Sequence, residues 1–293
     1  MKKFKYVKPK TIEDALEYLD ENADEKKVIA GGTDLMVKLR NNKTDPDLII
    51  DISELEELKG IYRKDGFIVI GAATTLTEIA ESPLLKKYCP ILPQAAASIG
   101  AVQIRNRGTI GGNVANASPS ADTVPALVAL GAEATLMSRG QERKIALEEI
   151  YIGPGKTLIK PNELLTSLSF PEPKGSWGGV FFKLGKRKAQ AISIVNGAVQ
   201  ITVDDSRSRF KDVRIALGAV APTALRIREA EESLMDREIS CENIKKAAEI
   251  VKSKISPITD VRATAEYRRE VSGNLFIQAV CDSLGQLGIS ISM

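Results

Sequence analysis

The chain has no histidine among its 293 residues. That absence excludes Ser-His-Asp and Cys-His nucleophile systems and every His-ligated metal site. Cysteine is scarce. Cys89, Cys241 and Cys281 are far apart in sequence, show no C-x-x-C spacing, and are too few to ligate a four-cysteine cluster alone. They read as free buried thiols of a reducing compartment. A charge excess is missing too: 41 Lys and Arg against 38 Asp and Glu leave a net charge of +3. That balance argues for neither a nucleic-acid nor a membrane partner. No apolar run approaches a membrane span. The start, Met1-Lys2-Lys3-Phe4-Lys5-Tyr6, is basic but lacks the apolar core of a signal peptide, so the expected location is the cytoplasm. With these groups absent, any redox chemistry requires an organic cofactor.

What is present is glycine in two places. The stretch from Arg105 to Asp122 carries Gly108, Gly111 and Gly112, with Thr109, Asn113, Asn116, Ser118 and Ser120 as short polar companions. Glycine allows positive φ and lets backbone N–H groups approach a ligand. Pro119 stiffens the exit, and Asp122 opens an apolar helical run from Val124 to Leu130. A donor-rich loop ending at a helix suits a phosphate or pyrophosphate; a tight turn between two core elements is the alternative. Earlier, the apolar strand Lys27-Val28-Ile29-Ala30 runs into Gly31-Gly32-Thr33-Asp34 and a helix over Asp34–Arg40, with Thr33 placed as its N-cap. Neither loop fits G-x-G-x-x-G or the P-loop pattern. Two such cradles suit one extended dinucleotide gripped from two sides.

The stretches Ala30-Gly31-Gly32-Thr33-Asp34-Leu35 and Gln103-Ile104-Arg105-Asn106-Arg107-Gly108-Thr109-Ile110-Gly111-Gly112-Asn113 resemble the two FAD-binding signatures of the molybdenum hydroxylases. The match is to their separate FAD-binding medium subunit, as in xanthine, nicotinate and carbon monoxide dehydrogenases. Phe181-Phe182-Lys183-Leu184 and Ala216-Leu217-Gly218-Ala219-Val220-Ala221-Pro222-Thr223 are similar to the C-terminal domain of that family. The cysteine-bound cluster insertion of the hydroxybenzoyl-CoA reductase branch has no counterpart here. The resemblance implies FAD contacts at Val28, Ile29, Ala30, Gly31, Gly32, Thr33, Asp34 and Leu35, and at Thr109, Ile110, Gly111, Gly112 and Asn113. It further implies a flavin contact at Ile99, a cofactor hydroxyl contact at Asp122, and contacts at Leu164 and Lys183. Read without it, Ile99 and Leu164 are core, Asp122 is a helix-start acid, and Lys183 is a solvated strand-end cation. Arg105 and Arg107 read as structural or interface charges rather than pyrophosphate ligands. The basic run Gly185-Lys186-Arg187-Lys188 lies, by the resemblance, near the flavin; as a charge run alone it is a solvated turn.

The expected fold is α+β: a two-lobed FAD-binding domain of the molybdenum hydroxylase flavoprotein type, then a C-terminal α+β domain of three antiparallel strands and a helical bundle. Lobe 1 spans 1–53, a small βαβ unit with a helix capped at Thr11 and a strand at Leu48–Ile52. Asp51 there reads as structural, capping the strand end. Lobe 2 spans 54–173, with a hairpin at Lys64-Asp65-Gly66, a capping box Thr75-Leu76-Thr77-Glu78, a helix from Ser120, a hairpin at Ser138-Arg139-Gly140 and a closing strand at Leu164–Phe170. The linker Pro171-Glu172-Pro173-Lys174-Gly175 opens the third region, 174–293. It holds strands Trp177–Leu184, Ser193–Val203 and Phe210–Val220, then helices Ala224–Met235, Cys241–Ser253 and Thr264–Leu287. By resemblance the chain is an FAD-binding electron-transfer subunit with an iron-sulfur small subunit, a molybdopterin-binding large subunit and NAD or another acceptor as partners. A self-sufficient FAD-dependent oxidoreductase and a non-redox binding or assembly protein of the same fold are the alternatives. The sequence offers no acid–base set for the first of these, and its intact Gly-Gly pairs weigh against the second.

Overall fold

A computed structural model describes residues 3–21 and 25–291. The first lobe is a three-stranded parallel sheet in the order β1 (Lys5–Val7), β3 (Leu48–Asp51), β2 (Lys26–Ile29). Helix α1 (Ile12–Asp20) follows β1, and α2 (Leu35–Arg40) carries the crossover from β2 to β3. Thr11 caps α1 by accepting from the Asp14 N–H at 3.1 Å. Ala15, Leu16 and Leu19 then turn onto Leu48 and Ile50 of the central strand. Asp51 ends that strand by accepting from the Ser53 N–H at 2.9 Å, as its capping role requires.

The second lobe is a five-stranded antiparallel sheet covered by short helices. Its strands are β4 (Ile61–Lys64), β5 (Phe67–Gly71), β6 (Glu133–Ser138), β7 (Gln141–Ala146) and β10 (Leu164–Pro171), in the order β4-β5-β10-β6-β7. A small hairpin, β8 (Tyr151–Gly153) with β9 (Lys156–Thr157), lies before β10. The helices are α3 (Leu76–Glu81), α4 (Pro83–Tyr88), α5 (Ile91–Ala97), α6 (Val102–Arg105), α7 (Ile110–Ala115) and α8 (Thr123–Ala129). The Thr75 capping box is complete, with Glu78 reaching back to the Thr75 N–H. Pro83 opens α4 and Pro90 immediately precedes α5, so both divide the run before the second glycine loop into short helices; Pro93, expected to break it as well, lies in the first turn of α5, where its missing N–H has no intrahelical partner to lose.

The last region is an antiparallel sheet of β11 (Trp177–Leu184), β12 (Val195–Val203) and β13 (Phe210–Gly218), followed by α9 (Arg228–Leu234), α10 (Cys241–Lys254) and α11 (Ala265–Gly285). The sheet gains a two-residue fourth strand, β14 (Leu225–Arg226), paired to β13. That pairing holds the segment extended and delays α9, expected from Ala224, until Arg228. One face of the sheet packs on the three helices through residues such as Val199, Ile215 and Phe276. The other face reaches lobe 2, since Ala198 and Ala216 belong to the core that contains α5 and α8.

Candidate functional site

The two glycine loops meet. A Cβ on Gly31 would sit 1.8 Å from the Arg107 carbonyl oxygen, so only glycine permits that contact. A Cβ on Gly108 would lie 3.5 Å from Thr33 Oγ1. Between them runs a groove of about 510 Å³ whose wall includes every residue from Val28 to Leu35, together with Ile99, Thr109, Gly112 and Asn113.

The first loop supplies the donors. Gly32, at φ +71°, turns the chain after β2, and its carbonyl already accepts from the Met36 N–H at 3.0 Å. Helical hydrogen bonding therefore begins before Thr33. Thr33 is not the N-cap: Asp34 precedes α2, in right-handed helical conformation and with no side-chain cap bond. The N–H groups of Gly31, Gly32, Thr33 and Asp34 have no protein acceptor among the described residues. Consecutive orphan donors at a loop-to-helix junction are what an anionic oxygen needs.

The second loop spends most of its donors on itself and on lobe 2, and of the N–H groups from Gly108 to Asn113 the Thr109 N–H alone has no acceptor among the described residues. The Ile110 N–H donates to the Thr74 carbonyl at 3.0 Å, Gly111 to Ala72 at 2.9 Å, and Gly112 to the Thr109 hydroxyl at 3.1 Å. Ile110 and Gly111 are buried beneath the groove rather than on its wall. A Cβ on Gly111 would meet the Ala72 side chain at 2.6 Å, so this glycine is fixed by packing. Asn113 accepts from the Thr123 hydroxyl at 2.6 Å, which leaves its amide N–H₂ for the groove.

Asp122, Leu164 and Lys183 lie off the groove wall. Leu164 is core, packed with the lobe 1 cluster. Asp122 is buried and stands at the start of α8, as its position suggested, but its side chain makes no cap hydrogen bond. One carboxylate oxygen accepts from Ser193 Oγ at 2.6 Å and Asn196 Nδ2 at 2.7 Å; the other accepts from Lys183 Nζ at 2.6 Å. Lys183 is thus no solvated cation. It also donates to the Ser98 carbonyl at 2.9 Å, beside Ile99. A Cβ on Gly218 would come within 2.2 Å of Asn196 Oδ1, so that glycine makes the space Asn196 occupies. Arg105 holds the Ile99 carbonyl at 3.0 Å, a structural role as expected.

Sequence reasoning missed the far side of the groove. Lys38 on α2 donates to Asn116 Oδ1 at 2.7 Å, bridging the lobes across the wall. Glu25, Lys27 and Thr44 line one end. The Thr44 hydroxyl at 2.6 Å and the Lys27 ammonium at 3.1 Å hold the Glu25 carboxyl below its ordinary range. The only available signal was the polar character of residues flanking the first loop. Among the described residues no group of His, Cys, Asp and Glu is arranged to hold a metal ion. Cys89 is buried, which pushes its thiol up to about 12. Cys241 and Cys281, expected buried, are half-buried.

A groove with orphan donors, walled by two glycine loops and carried on a βαβ unit packed to an antiparallel sheet, has the features of a dinucleotide-binding protein. Residues 2–173 match the FAD-binding domain of molybdopterin dehydrogenases, and residues 180–282 the C-terminal domain of CO dehydrogenase flavoproteins. The chain is 32% identical to the nicotinate dehydrogenase FAD-subunit of Eubacterium barkeri, over 98% of each chain. It is 31% identical to a putative xanthine dehydrogenase FAD-binding subunit of Escherichia coli, over 97% of each. Its fold superposes on CO dehydrogenase from Oligotropha carboxidovorans with a TM-score of 0.93 at 30% identity, covering 97% of this chain and 98% of that one. The chain belongs to the FAD-binding medium subunits of the molybdenum hydroxylases, which are oxidoreductase complexes, and its cofactor is FAD.

Proposed function

We propose that this chain is the electron-transfer subunit of a heteromeric molybdenum hydroxylase. It takes electrons from iron–sulfur clusters on a small subunit and delivers them through FAD to NAD or another acceptor, while a molybdopterin-binding large subunit oxidises the organic substrate. The observation that carries this reading is the row of unpartnered N–H groups at Gly31–Asp34, on residues that line a groove both glycine loops wall. These donors hold the cofactor pyrophosphate, Asn113 offers its amide from the opposite loop, and Ile99 gives an apolar surface at the end nearest Lys183. When bound, FAD supplies the redox chemistry, and the protein supplies orientation and electrostatics. The Asp122–Lys183–Ser193–Asn196 cluster positions that end of the groove by fixing the Ser98 carbonyl from the C-terminal sheet. Lobe 1 over 1–53, lobe 2 over 54–173 and a C-terminal domain over 174–293 are the proposed units; each of the three larger sheets falls within one of them.

The test is anaerobic mixing of the FAD-loaded chain with organic substrates of the family, with flavin absorbance followed in the visible. The isolated chain should stay oxidised, and adding the cognate small and large subunits should bring substrate-dependent reduction. Full reduction by an organic substrate in the isolated chain would instead identify a self-sufficient enzyme. A complex that turns over equally well without FAD in this chain would identify an assembly role.

A further inference from the structure

The cysteines are not equivalent. Cys89 is buried in the lobe 2 core, whereas Cys241 and Cys281 are half-buried on the C-terminal helices. Cys241 is the first residue of α10, which Ser240 caps by accepting from the Asn243 N–H at 3.3 Å. Cys281 lies near the end of α11. Neither lines the cofactor groove.

The two helices form an antiparallel hairpin, and its register sets these thiols opposite each other. Near the connection, Lys252 of α10 reaches Glu270 of α11 at 3.2 Å, and a Cβ on Gly273 would lie 3.0 Å from Lys252 Cγ. Eleven residues back along α10 from Lys252 is Cys241, and eleven residues on along α11 from Glu270 is Cys281. Eleven residues are about three helical turns, so each cysteine shares a face with the residue it is counted from. Equal steps in opposite chain directions keep two residues of an antiparallel pair facing. Between the two points Ile244, Ala248, Phe276 and Val280 belong to one core, with the small Ala248 and Gly273 letting the helices pack closely. The thiols also feel each other: burial, then Asp282, then Cys241 push the Cys281 thiol up. Inert structural thiols are enclosed as Cys89 is; these two are paired and within reach of solvent.

We propose that Cys241 and Cys281 are a reversible thiol-oxidation site, which hydrogen peroxide converts into a disulfide tying α10 to α11. The Cys241 sulfur attacks one peroxide oxygen; the O–O bond breaks, water leaves, and Cys241 becomes a sulfenic acid. The Cys281 sulfur then attacks the Cys241 sulfur; the S–S bond forms, the S–O bond breaks, and a second water carries away the Cys281 proton. Two thiols and one peroxide give one disulfide and two waters; the thiols lose two electrons and the peroxide gains them. A small dithiol reverses the bond by exchange. Cys281 stands shortly before Gln286, whose side chain brackets Gly179 of β11: Nε2 donates to its carbonyl and Oε1 accepts from its N–H, both at 3.0 Å. The disulfide thus braces the helix end that covers the outer strand of the C-terminal sheet.

The experiment exposes the full FAD-loaded chain to hydrogen peroxide, alkylates the remaining thiols, and reads a non-reducing digest by mass spectrometry. The intact chain should lose the mass of two hydrogens and yield one linked peptide pair holding Cys241 and Cys281. Cys89 should be alkylated only after denaturation. The thermal midpoint should rise by about 5 °C or more, as closing the chain segment between the two cysteines restricts the unfolded state, and should fall back on treatment with dithiothreitol. FAD content should not change. Cys241→Ser and Cys281→Ser should each abolish the linked pair and the midpoint rise while melting, when reduced, close to the unaltered reduced protein. Thiols still free to be alkylated after peroxide, sulfinic acid at either cysteine without a linked pair, a link between two chains, or a midpoint that rises equally in the serine variants would each overturn the proposal.

Discussion

Gly31 and Gly111 belong to matching Gly-Gly pairs, yet they do different things. Gly31 brings two loops together, with the Arg107 carbonyl where a side chain would be; Gly111 lets α7 lie on Ala72. Gly31→Ala is expected to part the loops, cost about 1–3 kcal/mol of stability as an overpacking change, and lower the FAD bound per chain. Gly111→Ala should lower stability with a smaller effect on FAD affinity in the folded fraction. The visible-to-ultraviolet absorbance ratio and a denaturation curve for each variant check this; normal flavin content in Gly31→Ala would show that the loop contact is dispensable. Asp122 is a second case where sequence gave the residue but not its work. Its partners Lys183, Ser193 and Asn196 stand 61 to 74 residues away, so nothing local reveals them. Asp122→Ala leaves the Lys183 ammonium mostly buried without its carboxylate, and the expected loss is about 3–5 kcal/mol of stability. Urea denaturation of the FAD-free protein measures it, and an unchanged midpoint would contradict the cluster.

Among the elements, those with strong local signals were legible. Thr11 and Thr75 cap their helices through their side chains, and the long strands of the C-terminal sheet start within about two residues of their hydrophobic patterns. Elements defined by a distant partner were not. Lys5–Val7 is a strand only because Leu48–Ile50 accepts it, and Leu225–Arg226 only because of Ala216 and Leu217. The same division runs through the site: glycine pairs advertise both loops, while the Lys38–Asn116 bridge and the free donors depend on how the lobes meet. The connection between α10 and α11 carries a pH-sensitive tie. The Arg262 N–H, aided by the Arg268 guanidinium and the Ala263 N–H, holds the Asp260 carboxyl down at about 2. A carboxyl depressed in the folded state stabilises above its unfolded pKa, and that contribution disappears as pH falls through the folded value. Asp260→Asn should therefore be less stable than the unaltered protein at pH 7, with the gap closing between pH 4 and 2. Denaturation midpoints across that range decide it; a gap independent of pH would assign Asp260 a purely steric role.

At the scale of the whole molecule, the groove proposed to hold the cofactor is a property of the assembly of parts. Lobe 1 brings the free donors, lobe 2 closes the opposite wall, and the C-terminal sheet locks Asp122 and, through Lys183, the Ser98–Ile99 corner. None of the described helices is long and apolar enough to cross a membrane. With no histidine in the chain and none of the three cysteines on the groove wall, FAD should be held without a covalent bond. The central claim is that the first glycine loop grips the cofactor with backbone N–H groups that are free until FAD arrives, whereas the Ile110, Gly111 and Gly112 N–H groups of the second loop are already bonded. Hydrogen–deuterium exchange of the FAD-free chain, with and without added FAD, tests this directly. The amides of Gly31 to Asp34 should exchange fast alone and become strongly protected with FAD, while those of Ile110 and Gly111 should be slow in both states. Unchanged exchange at Gly31 to Asp34 on FAD binding would contradict the account.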